Sequence, residues 1–76
     1  MSGSVDVASE VAGSVWKRIA GVGDAVAEGD VIFILESMKM EIPVEAPVNG
    51  TVLELSVAPE DPVAEDQVLV IIEADG

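Results

Sequence analysis

The chain has 76 residues, with 15 acidic side chains against 3 basic ones and a formal net charge of -12. Cysteine and histidine are both absent, which excludes disulfides, thiolate–zinc sites and the usual general bases. Three cations, one Trp and one Phe are too few for phosphate-backbone binding or base stacking, so neither nucleic acid nor an anionic membrane is an expected partner.

The N-terminal "MSGSVDVASE" has no basic segment followed by an apolar run, so it does not read as a signal peptide. No apolar run is long enough for a membrane-spanning helix. The expectation is a soluble cytoplasmic domain over residues 5–74, with residues 1–4 a disordered lead or an expression remnant. "GSVWKRI" (13–19) partly alternates, as a strand with two faces does. Within it, Trp16 fits either the core or the cover of a sheet edge, and Lys17 reads as an outward strand residue. "GVGD" (21–24) and "EGD" (28–30) punctuate the chain, and "AVAEGD" (25–30) has room for no more than a short helical turn. Val31-Ile32-Phe33-Ile34-Leu35 is a β-rich apolar run, too short for a typical helix. Further on, Asn49-Gly50 predicts a tight turn with positive φ. "GTVLELSV" (50–57), the punctuation "PEDP" (59–62), "PVAEDQ" (62–67) and the run Val68–Ile72 then repeat the earlier pattern.

That repetition is quantitative. Residues 7–36 align without gaps on 44–73 at an offset of 37, and eleven of the thirty aligned pairs are identical. They include Gly13/Gly50, Val15/Val52, Asp24/Asp61 and the run Val26-Ala27-Glu28 against Val63-Ala64-Glu65. Two copies are too few for a solenoid. They predict one all-β core shared by two related halves, a small sandwich or barrel.

The link between the halves is "ESMKMEIP" (36–43). Glu36 closes one strand and Glu41 opens the next, so Ser37-Met38-Lys39-Met40 is expected to form a tight hairpin turn. If a pseudo-two-fold axis relates the halves, Lys39 occupies one tip and both chain termini the equivalent place at the other. A lysine amine is almost wholly protonated at pH 7. Lys39 is thus not a self-activated catalytic amine, and acylating it requires another enzyme. The simplest reading of any exposed lysine is a solvated turn residue. Met38 and Met40 argue against that here, because methionine is ordinarily buried filler and two of them form an apolar collar.

"ESMKMEIPVEAPVNGTV" (36–52) resembles the attachment motif of biotinyl domains, the biotin carboxyl carrier family. The matching elements are Met38-Lys39-Met40 with Glu36 before it, then "APVNG" (46–50). The resemblance runs over about residues 5–73. It implies a flattened β-barrel of two four-stranded antiparallel sheets with the modified lysine on a tight turn. It also implies covalent biotin on Lys39, attached by a biotin protein ligase. The domain would then be a non-catalytic carrier, moving a carboxyl group between a biotin carboxylase and a carboxyltransferase. Glu36, Ser37, Met38, Met40 and Glu41 would be the residues that the ligase reads, with Met38 and Met40 shaping the collar. Glu36 would orient the turn or exclude the related lipoyl ligase.

The chain departs from the family pattern in places. Gly23-Asp24 becomes Glu60-Asp61 before Pro62, and Gly29 becomes Asp66, so turns of different shape or under strain are expected there. "SEVAG" (9–13) stands where a proline-containing turn is common. No protruding thumb is inserted between the early strands.

Three other readings compete. A lipoyl carrier shares the fold and tip lysine, but its motif more often has an acid directly before the lysine and a small residue after it. An acidic metal module would use Glu60-Asp61 and Glu65-Asp66, yet no calcium-loop pattern surrounds them, and solvated turn carboxylates explain them. A cofactor-free acidic β interaction domain would make the Met-Lys-Met tip a coincidence. The acidity suggests partner enzymes with basic docking surfaces and salt-sensitive association. The acceptor substrate is not encoded in a carrier, and the motif reads alike in a free-standing protein and in an excised domain.

Overall fold

The computed structural model describes residues 3–75. Eight strands form in chain order: β1 (Ser4–Ala8), β2 (Gly13–Arg18), β3 (Ala25–Val26), β4 (Val31–Ser37), β5 (Met40–Glu45), β6 (Gly50–Leu55), β7 (Pro62–Val63) and β8 (Val68–Ala74). They make two four-stranded antiparallel sheets. The first has the order β1-β8-β6-β3 and the second β5-β4-β2-β7. A shift of 37 residues turns one order into the other. Among the described residues no helix is long and apolar enough to cross a membrane.

The likeness extends to local irregularities. The β2–β4 ladder shifts register between Val15 and Lys17, and β6–β8 shifts between Val52 and Glu54. The β4–β5 and β1–β8 ladders also shift at matching places. Each bulge adds one residue and bends its strand, closing two short sheets around one core. At these shifts two consecutive residues can both turn inward. Ile32 and Phe33 are both fully buried, and so are Leu69 and Val70. Leu35, Ile72, Val15 and Val52 complete the centre of the core.

The four turns next to β3 and β7 keep one shape in both halves. In Gly21–Asp24, Ala27–Asp30, Ala58–Asp61 and Ala64–Gln67 the fourth N–H donates to the first carbonyl. In each the fourth side chain accepts from the first N–H, through Asp24, Asp30, Asp61 and Gln67. The third residue has positive φ throughout: Gly23 (90°), Gly29 (92°), Glu60 (75°) and Asp66 (69°). That sign is what a type II turn demands, and glycine normally supplies it. The expected difference of shape between the halves is therefore absent. The second half keeps the shape with residues that are strained in it. "AVAEGD" and "PVAEDQ" contain a short strand and a β-turn rather than a helical turn.

Asn49-Gly50 does not form the expected positive-φ turn, since neither residue is among those with that sign. Asn49 Oδ1 instead accepts the Glu28 N–H at 2.7 Å, tying the two halves together. Gly50 opens β6 against the Glu73 carbonyl, where a side chain would not fit. β1 already begins at Ser4, paired with Glu73, and the Gly3 carbonyl accepts the Ala74 N–H. Of the lead expected to be unstructured, Met1 and Ser2 lie outside the described residues.

Candidate functional site

Lys39 lies at the apex of the β4–β5 hairpin. Ser37 and Met40 are the last residues paired across the ladder, so the turn has two residues, Met38 and Lys39. Both have positive φ, at 53° and 65°. This is the φ signature of a type I′ turn, whose twist matches that of the flanking strands and which normally uses Asn-Gly. Here the same geometry is imposed on two long side chains, at a cost of about 1–2 kcal/mol for each. Such strain persists only where the surrounding structure enforces it, and seven-residue β4 paired on both sides is that structure.

The expected site residues do converge on this tip. Met38 is 92% exposed and Met40 64%. Lys39, Glu36 and Glu41 are exposed as well. Glu36 and Glu41 pair directly across the ladder, which places both carboxylates on one sheet face below the turn. Ser37 is the half-buried member. Its hydroxyl donates to the Ala12 carbonyl at 2.8 Å and fastens the hairpin root to the loop before β2. Two anchoring residues were not legible as site residues. Ala12 supplies that carbonyl, and Gly13 allows β2 to approach so closely that an added Cβ would strike the Glu36 carbonyl and stand 3.2 Å from the Ser37 Cβ. The only sequence signal was the pairing of Gly13 with Gly50 in the repeat.

The far end is built alike. In the position equivalent to the hairpin tip, the two chain ends pair, through Ala74 and Gly3. β2 starts at Gly13 beside Ser37, and the chain leaving it reaches Gly23, whose N–H donates to Val52 near that far end. The body is 39 Å long and about half that wide. Lys39 and the Gly3–Ala74 pair thus lie at opposite ends.

A groove of about 270 Å³ runs between β1 and β5, lined by residues such as Val7, Val11, Ile42 and Val44, and does not include Lys39. Among the described residues no group of three or more Asp or Glu side chains is placed to hold a metal ion. Asp61 is engaged in its turn by the Ala58 N–H. Trp16 is 51% exposed, so the core reading for it does not hold. Lys17 faces outward as expected.

The family described as "Biotin-requiring enzyme", a biotin/lipoyl family, matches residues 3–72. This chain belongs to that biotin/lipoyl attachment family. It is similar to a "Biotinylated protein TB7.3 homolog" of Mycobacterium leprae, 42% identical over 67 residues that span 88% of this chain and 94% of the relative. A "Biotin/lipoyl attachment protein" of Bacillus subtilis is 43% identical over 63 residues, covering 83% of this chain and 86% of the relative. Among solved structures, the Kluyveromyces lactis urea carboxylase superposes with a TM-score of 0.87 and 34% identity. That match covers 92% of this chain but 6% of the carboxylase, so the fold recurs there as one small part of a large enzyme. The flattened two-sheet barrel implied by the resemblance is thus the fold observed.

Proposed function

We propose that Lys39 Nζ is the attachment point of covalent biotin, and that the domain is a carboxyl carrier. The observation that carries this reading is the turn itself. The lysine is held by a strained two-residue turn at the far tip of an elongated body, outside the groove between β1 and β5, with two exposed methionines beside it. A solvated surface lysine requires none of this. The relatives named for biotin support the same cofactor.

The amine would attack the acyl carbonyl of biotinyl-adenylate in the active site of a biotin protein ligase. An amide forms, AMP leaves, and the amine proton passes to a base of the ligase. Met38 and Met40 give that enzyme an apolar collar to bind. Glu36 and Glu41 give it a pair of negative charges for orientation. When attached, biotin supplies a ureido nitrogen that accepts and releases a carboxyl group. The chain's own part is to hold Nζ at the tip, clear of both sheets, so that a tethered group can enter deep active sites. Tethering replaces diffusion with a high effective concentration. A biotin carboxylase and a carboxyltransferase are the partners that this role requires.

The test is intact mass after incubation with biotin, ATP and a biotin protein ligase. The expected result is one biotin increment on the wild type and none on Lys39→Ala. Lys17, outside a turn, serves as the internal control and should stay unmodified. No increment on the folded wild type, with lipoylation by a lipoate ligase instead, would transfer the reading to lipoate.

A further inference from the structure

The two sheets are copies of one design on their inner faces and differ on their outer ones. Directly opposed residues share a face. On the second sheet, Lys17, Ile34 and Pro43 are opposed across β2, β4 and β5. Phe33 and Leu35 on either side of Ile34 are fully buried, so this row faces outward. On the first sheet the equivalent row is Glu54, Ile71 and Asp6. Beside the rows, at the two bulges, stand Trp16 and its counterpart Leu53, 51% and 45% exposed. One outer face thus offers Trp, Lys, Ile and Pro, and the other Leu, Glu, Ile and Asp. The inner positions stay alike, Val15 with Val52 and Leu35 with Ile72. The scaffold itself does not require the Trp-Lys chemistry, because its twin strand manages without it.

We infer that this outer face, Trp16 with Lys17, Ile34 and Pro43, is the surface by which the enzyme that acylates Lys39 grips the domain. The inference rests on the attachment reading above. Three observations support it. The face belongs to the same sheet as the Lys39 hairpin, so one rigid ladder connects them. Along β4 the Glu36–Glu41 pair comes first, and the Ile34 row follows about 7 Å further on. An exposed tryptophan is the residue type most often found at the energetic centre of an interface, and this one is the chain's single Trp. One of the chain's three cations, Lys17, is also here, on a protein of net charge -12. Arg18 extends over the Gly21–Asp24 turn, which leaves Lys17 as the charge on the row.

The complementary surface follows from this order. Next to its active site it presents cations to Glu36 and Glu41. Beyond them it has an apolar depression for Trp16, Ile34 and Pro43, and then a carboxylate for Lys17. A uniformly basic surface, the partner suggested by net charge alone, would be repelled at Lys17.

The experiment uses the whole chain with a biotin protein ligase, biotin and ATP, and follows transfer by intact mass over a range of carrier concentrations. Trp16→Ala and Lys17→Glu are compared with Leu53→Ala and Glu54→Lys at the twin positions, after thermal melts establish that each is folded. The first pair should lower kcat/KM on the order of tenfold, mainly through KM, and the second pair should leave it within about twofold. If all four variants are modified like the wild type, or both faces matter equally, the face assignment is wrong while the attachment reading stands. If the wild type acquires no biotin at all, both are overturned.

Discussion

Glu36 and Glu41 sit directly opposite each other on β4 and β5, the last charged pair before the turn that carries Lys39. Like charges in this register repel. Both are exposed, so water screens them, and the cost is a few tenths of a kcal/mol. A threonine pair would serve the sheet better. Replacing either Glu36 or Glu41 by Thr should raise the unfolding free energy read from urea titration slightly, by up to about 0.5 kcal/mol. The same change should slow biotin transfer if the charges orient the ligase. An unchanged transfer rate would mean that the pair is merely tolerated.

The turn above them is strained in a way that can be relieved. Met38→Asn places a residue that tolerates positive φ where Met38 now has 53°. It should stabilise the domain by about 0.5–1 kcal/mol and impair ligation, since half the collar is gone. Adding Lys39→Gly creates the favoured Asn-Gly sequence. That double variant should be more stable still and should accept no biotin. A loss of stability in either variant would contradict the strain.

Glu60 and Asp66 hold φ values that Gly23 and Gly29 adopt freely in the first half. Glu60→Gly should stabilise by about 0.5–1 kcal/mol, after the added freedom of the unfolded chain is subtracted. Asp66→Gly should gain less, because aspartate tolerates this region better. The reverse changes, Gly23→Ala and Gly29→Ala, meet no atom within 4 Å of the new Cβ. Their loss, about 1 kcal/mol each, would therefore be purely conformational. Thermal melts would read these differences as several degrees apiece.

Gly13 and Gly50 have a steric rather than a conformational role. A Cβ at Gly13 would strike the Glu36 carbonyl, and one at Gly50 would strike the Glu73 carbonyl and come to 2.8 Å from Ile72 Cγ2. Either Ala variant should cost about 1–3 kcal/mol. Their effects on function should separate. Gly13→Ala displaces the hairpin root and the Ser37–Ala12 hydrogen bond, so it should reduce biotin transfer. Gly50→Ala acts at the opposite end, and the folded fraction should be modified normally. Equal transfer by the two would show that the hairpin is not sensitive to its root.

The sequence by itself determined the repeat, the strands and the place of the lysine. These are signals along the chain: a repeat at an offset of 37 residues, apolar runs of strand length, and a short link carrying the lysine between two halves. Once two halves must bury one core together, the link has to turn at one end and the termini have to meet at the other. Tertiary structure decided what depends on residues far apart. Whether Trp16 faced in or out depended on a bulge, and a bulge is a mismatch between two strands rather than a property of one. Asn49 was free to enter a positive-φ turn, but Glu28, 21 residues away, offered its N–H instead. Met38, Lys39, Glu60 and Asp66 have no local reason for positive φ. They adopt it because the strands on either side are already fixed in register, and the intervening residues must complete the connection whatever their preference.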